Sequence, residues 1–188
     1  RISIGADSGG SHNSLVADGA GTLVDATAGT LDSRVGHSDN ASYNAVLVTN
    51  GAAMRTYGLT IGDTATSHSN TFTVTGTGSS LKNIGTIHIS AGGTEGNTLD
   101  VSNGTVDSDH IEVGANGLLR LASDAGTATV DSGVSIMDGG RLAGEGSIVG
   151  AVTNAGTIAP GASPGTLESS GGLTLIDTSE LMMNLGGT

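Results

Sequence analysis

The chain has no cysteine, no tryptophan and only two prolines in 188 residues. Without cysteine there is no disulfide, no thiol nucleophile and no Cys-type zinc site. Aromatic residues are nearly missing too: Tyr43, Tyr57 and Phe72 make up 2%. A compact globule usually anchors its core on several large aromatic side chains, so this chain has to bury thin layers of Val, Ile, Leu and Ala instead. Positive charge is scarce. The six cations, Arg1, Arg34, Arg55, Lys82, Arg120 and Arg141, are spread singly through a chain of net charge −12. With no basic patch to neutralise phosphates, the composition argues against nucleic acid as a partner, and the acidity suits an extracellular surface. No run of about 18 apolar residues offers a membrane-spanning helix, and no signal peptide opens the sequence. We therefore read it as a mature or trimmed piece of a longer precursor, with no membrane insertion of this segment.

Glycine is what the chain has in excess, 33 residues, against a usual share of ~7%. The glycines follow no three-residue period, which excludes collagen. Low charge combined with 36% hydrophobic residues argues against disorder. The remaining signal is repetition. Asn-Thr-Phe-Thr-Val-Thr at 70–75 is echoed by Asn-Thr-Leu-Asp-Val-Ser at 97–102. Ile-His-Ile-Ser-Ala-Gly-Gly at 87–93 is echoed by 111–117 and 134–140, and Gly-Leu-Thr-Ile-Gly at 58–62 by 172–176. Each unit is a short apolar–polar alternation closed by a glycine-rich turn, which is the strand period. The alternation predicts inward-facing pairs: Leu59/Ile61, Ile87/Ile89, Leu99/Val101, Ile111/Val113 and Val134/Ile136. No eleven-residue stretch keeps a helical period.

Short strands recurring at this interval fit a β-solenoid, in which coils stack ~4.8 Å apart and like side chains form ladders. The expected fold is all-β: one domain over 1–188, about seven degenerate coils of roughly 20–28 residues, a rod of roughly 35 Å. Residues 1–40 are its less regular first coils and 41–188 its repeat region. Both prolines fall in Ala-Pro-Gly-Ala-Ser-Pro-Gly-Thr at 159–166. Pro160–Gly161 and Pro164–Gly165 each read as a turn in which Pro presets φ and Gly supplies a positive φ, together a rigid corner between coils.

The stretch from Gly140 to Leu167 resembles the closing repeats of bacterial autotransporter passengers. It is equally similar to surface proteins of the Pro-Glu-Pro C-terminal sorting type. The shared features are Gly-Arg-Leu-Ala-Gly-Glu-Gly, then Val-Thr-Asn-Ala-Gly, then Ala-Pro-Gly-Ala-Ser-Pro-Gly. Tyr-Asn-Ala-Val-Leu-Val-Thr-Asn-Gly at 43–51 with Leu-Thr-Ile-Gly at 59–62 resembles the preceding repeat of those proteins, so the likeness covers about 41–188. It implies a right-handed parallel β-helix, export and display on a bacterial cell surface.

Chemistry-bearing patterns are few. Asp107, Asp109 and His110 are the best acidic cluster, a weak candidate for Ca²⁺ and a weaker one for a transition metal; the simpler reading is a solvated corner between Val106 and Ile111. The calcium-roll nonapeptide is absent, the five histidines share no metal spacing, and no Gly-x-Ser-x-Gly elbow occurs. No cofactor and no enzymatic activity are expected. The sequence reads as a structural surface protein: a stiff rod, stalk or filament, open to an adhesive role toward surface glycans or matrix. The first alternative is a carbohydrate-binding or polysaccharide-lyase β-helix, marked by carboxylates from successive coils aligned beside Arg120 or Arg141. A lesser one is an ice-binding solenoid, since Thr71–Thr75 and Thr127–Thr129 carry Thr-x-Thr pairs. Arg1–Gly5 would start the first coil. Leu181, Met183 and Leu185 alternate like a last one. With no capping helix, such ends would stack end to end with further copies or continue into a longer chain.

Overall fold

The computed structural model describes residues 1–92, 95–122, 128–161 and 165–183, and these are built from short parallel strands without a helix. Each coil contributes three strands, one to each of three faces. Face 1 is an eight-stranded parallel sheet running from Ser14–Asp18 to Glu180–Leu181. Faces 2 and 3 belong to one 13-stranded sheet. They merge because Thr105–Val113 and Thr129–Ile136 run unbroken from one face to the other. The result is a β-solenoid, as the repeats predict.

Register follows from burying one side of every strand. A one-residue slip would turn each apolar side chain to solvent. Leu15, Val46, Phe72, Leu99, Leu119, Leu142, Ile158 and Leu181 therefore stand one above another inside face 1. On face 3, Leu59, Ile87, Ile111 and Val134 form one row and Ile61, Ile89, Val113 and Ile136 the next, all buried. Leu99 and Val101 are buried on face 1. All ten ladder residues read from the alternation point inward. Full burial of one such side chain contributes about 1.5–3 kcal/mol, so small aliphatic rows can substitute for an aromatic core. The first 40 residues also join the solenoid, with Ser14–Asp18 paired residue for residue to Ala45–Thr49.

Coil length varies more widely than the repeats indicate. Leu15 to Val46 is 31 residues, and Leu142 to Ile158 is 16. Part of the variation sits at the corner from face 3 to face 1. Residues 36–44 and 62–70 fill this corner in the early coils, but only 114–117 and 137–140 in the later ones. The longest coil also has 27–32 between faces 2 and 3 where the next has 57–58, and in the shortest Glu145 alone joins faces 1 and 2.

The long corners close on a buried asparagine ladder. Asn13, Asn44, Asn70 and Asn97 each immediately precede a face 1 strand. The Nδ2 of Asn13 donates to Oδ1 of Asn44, Asn44 to Asn70, and Asn70 to Asn97, each at 3.0 Å. The same Oδ1 atoms accept the backbone N–H of the Asn one coil earlier, at 3.1 Å. Remaining Nδ2 hydrogens reach the loop carbonyls of Gly10, Ala41 and Ser67. Gly5, Gly36 and Gly62 make room: a Cβ on Gly62 would lie 2.1 Å from Asn97 Nδ2, and its φ is +74. Where the corner shortens, glycine replaces asparagine. A Cβ at Gly140 would lie 2.5 Å from the Val113 carbonyl oxygen, so the turn itself occupies the side chain's space. A second polar row lines the corner from face 2 to face 3, with Thr56 donating to Asn83 at 2.8 Å and Ser108 to Ser132 at 3.1 Å.

The Pro-Gly segment differs from its turn reading. Pro160 ends the strand Thr157–Pro160, in register with Gly144. The corner that follows lies within a coil, between face 1 and face 2. Gly161 and Gly165 are not among the positive-φ glycines. Crowding requires glycine at Gly165, where a Cβ would meet the Gly161 carbonyl carbon at 2.7 Å; the atoms nearest a Cβ on Gly161 belong to the Glu145 side chain, which can swing aside. Pro164 and Leu185 lie outside the described residues.

Replacing Asn70 by Ala leaves buried donors and acceptors on both neighbouring coils unpaired, at about 1–3 kcal/mol each. We expect Asn70→Ala to lower the unfolding free energy by about 3 kcal/mol and Asn13→Ala, at the exposed end of the ladder, by about 1 kcal/mol or less. Urea unfolding followed by circular dichroism checks both, and equal losses would contradict the ladder.

Candidate functional site

On each face the outward residues also stack in rows, so any site is a property of several coils. The most charged row lies on face 2, where Asp25, Arg55, Lys82, Asp107 and Asp131 succeed one another in register. Lys82 Nζ donates to Asp107 Oδ2 at 2.8 Å. Arg55 Nη1 lies 4.0 Å from Asp25 Oδ2. Asp25 Oδ1 accepts both the hydroxyl of Thr27 at 2.6 Å and its backbone N–H at 2.9 Å. Those hydrogen bonds, the hydroxyl first, hold the Asp25 carboxyl below its ordinary pKa.

The Asp107, Asp109, His110 cluster is split by the fold. The pairing of its strand with the next shifts register between Asp107 and His110, where the chain passes from face 2 to face 3. Asp107 is taken by Lys82, Asp109 is exposed, and His110 Nε2 lies 3.0 Å from Ser135 Oγ. Among the described residues no group of three or more His, Asp or Glu is arranged to hold a metal ion.

Arg120 and Arg141 line a groove of about 650 Å³ on face 1, floored by Ala143, Gly144 and Ala159. Arg120 is hydrogen-bonded to Asp100, its in-register neighbour, and this contact raises the guanidinium's pKa. The residues following Arg120 in the row are Ala143 and Ala159, not carboxylates. The groove thus has the arginines of the polysaccharide reading without its aligned acids. The threonine rows are also interrupted: Thr73 stands between Leu47 and Asp100, and Thr71 and Thr98 are followed by Leu118. Thr127 is outside the described residues.

The histidines take separate places. His37 Nδ1 and Arg34 Nε approach Asp63 Oδ2 at 2.8 and 3.5 Å. His88 lies 3.6 Å from Glu112. His12 stacks on Tyr43 at 5.1 Å and His68 meets the same ring edge-on at 5.5 Å. Tyr43 has a φ of 55, a left-handed backbone that a side chain rarely adopts. His12 and Tyr43 each immediately precede a ladder asparagine and His68 lies two residues before the next, so the aromatic residue beside Asn13, Asn44 and Asn70 is the trace this stack leaves in the sequence.

Among the described residues, the last rung leaves large apolar side chains exposed. Leu173, Leu181 and Met183 are 48%, 42% and 66% exposed, and an apolar cavity of about 220 Å³ opens among Leu142, Ile148, Val152 and Ile158. Leu181 continues an interior row, whereas Met183 lies beyond the strand Glu180–Leu181.

Because Asp107 is engaged by Lys82 and His110 faces Ser135, we expect millimolar calcium to leave the melting temperature unchanged. An upward shift that Asp107→Asn removes would show a metal site there.

Comparison with known proteins finds no matching family model, no similar curated protein and no similar solved structure.

Proposed function

We propose that the protein is a non-enzymatic, extracellular structural rod whose terminal rungs extend it by end-to-end stacking with further copies. The observation that carries this reading is the exposure of Leu173, Leu175 and Leu181 on the last described rung, where they stand in register with the rung before it. Exposed strand edges with apolar side chains are templates for another strand. The N-terminal rung offers a matching partner. Leu15 heads the row that Leu181 ends, Ile4 heads the row that ends in Leu175, and both Leu15 and Ile4 are only partly buried. A second copy placed one coil beyond Leu181 would continue the apolar row of Leu181 and the row of Leu175, in which Asn154 is the one polar member, and pair Leu173–Leu175 with Ser3–Ile4 in parallel.

The mechanism is mechanical. Main-chain bonds run along the rod axis, so stiffness comes from every coil at once. Support for surface display comes from the acidity of the chain and from the likeness of 140–167 to exported surface repeats. Support for a role without catalysis comes from the dispersal of the ionisable groups described above.

Electron microscopy and light scattering over a range of protein concentrations test this. We expect filaments of one width, lost in Leu175→Asp and Leu181→Asp, which place charges on the stacking rung without disturbing buried coils. A monodisperse monomer at every concentration would overturn the stacking proposal.

A further inference from the structure

Face 2 carries an arrangement that the rod reading does not use. Arg55 and Lys82 stand directly opposite each other on adjacent strands. Like charges in that position repel. A row built only to neutralise itself would alternate in sign, but this one runs Asp25, Arg55, Lys82, Asp107, Asp131. Two of the six cations in a chain of net charge −12 are thus set side by side.

The neighbouring acids leave the pair incompletely satisfied. Asp107 takes Lys82, but Lys82 keeps 63% of its side chain exposed. Asp25 is held by Thr27, and its other oxygen stays 4.0 Å from Arg55, beyond hydrogen-bond distance. The Arg55 guanidinium, a planar fork of five donors, is about half exposed. Beside the pair opens a cleft of about 400 Å³ lined by Thr27, Arg55, Lys82 and Ile84. That lies within the roughly 300–1,000 Å³ usual for small-ligand sites. Ile84 is 53% exposed and gives the cleft an apolar wall.

We propose that this cleft binds an acidic saccharide. The carboxylate or sulfate of one sugar lies against Arg55, which can take it through two parallel N–H···O bonds. Lys82 adds a point charge, and the apolar face of the ring rests on Ile84. A peptide suits the site less well. The strands carrying Arg55 and Lys82 are paired on both sides, so an extended chain would find no main-chain partners there. A nucleic acid needs a run of cations to neutralise successive phosphates, and this patch offers only the Arg55 and Lys82 pair. The site sits away from both ends of the rod, so it does not depend on end-to-end stacking.

Isothermal titration of the folded protein tests the proposal with four probes: trigalacturonate, a sulfated chondroitin disaccharide, neutral maltotriose and inorganic sulfate. We expect saturable, salt-sensitive binding of at least one acidic saccharide and none of maltotriose. A response to trigalacturonate alone assigns a carboxylate ligand, and to the chondroitin disaccharide alone a sulfate ester. Arg55→Gln should weaken binding by roughly tenfold and Lys82→Gln by a smaller factor. Arg141→Gln, on face 1, should change nothing. Ile84→Ser should weaken the saccharide without affecting inorganic sulfate. Asp107→Asn, which releases Lys82, should tighten binding. No saturable binding by either acidic saccharide, full affinity in Arg55→Gln, or inorganic sulfate binding as tightly as the sugars would overturn it. Circular dichroism confirms that each variant is folded. Titrating monomer and filament fractions separately keeps a failure here distinct from a failure of stacking.

Discussion

Every coil is held to the next by main-chain hydrogen bonds that run along the rod, and those bonds exist only while equivalent residues stay in register. Face 1 meets that constraint through all eight of its strands. Because register places like beside like, each property of one coil is copied to its neighbour's position. Apolar residues become interior rows, and charged residues become exterior ones. The near-absence of aromatic side chains follows as well. A wide ring in one rung needs room in the rungs above and below, and only Phe72, between Val46 and Leu99, finds it.

Corners are where this constraint is hardest to satisfy. Backbone groups leave the ladder there but stay buried, and an unpaired buried group is costly. The early coils solve it with long loops closed by Asn44, Asn70 and Asn97, whose amides bond to the coils on either side. The later coils shorten the corner and use Gly117 and Gly140, where carbonyl oxygens take the side chain's place. One chain thus carries two answers to the same problem. The change between them accounts for part of the fall in coil length.

The functional reading rests on what the rows leave unsatisfied. At the C-terminal rung that is apolar surface, with Leu173 and Leu181 exposed. On face 2 it is charge, with Arg55 and Lys82 adjacent where alternation would be quieter. Elsewhere the polar groups are largely consumed by one another: Asp100 by Arg120, Asp107 by Lys82, Asp63 by His37 and Arg34. A rod of this kind can offer a binding surface only where a row departs from the pairing that its neighbours make.

The sequence alone determined the fold class and much of the register. Alternation identified the ladder from Leu59 through Ile136, and the spacing of Leu59, Ile87, Ile111 and Val134 matches the observed pairing. This was legible because a two-residue period and a recurring turn are local signals. The asparagine ladder left a fainter trace, since Asn13, Asn44, Asn70 and Asn97 recur only at uneven intervals. The separation of Asp107 from His110, the crowding that requires Gly165, and the meeting of Arg55 with Lys82 left none. Each depends on which residue of a different coil arrives at the same height. Corner lengths set that, and they range too widely to be summed along the chain until the coils have stacked.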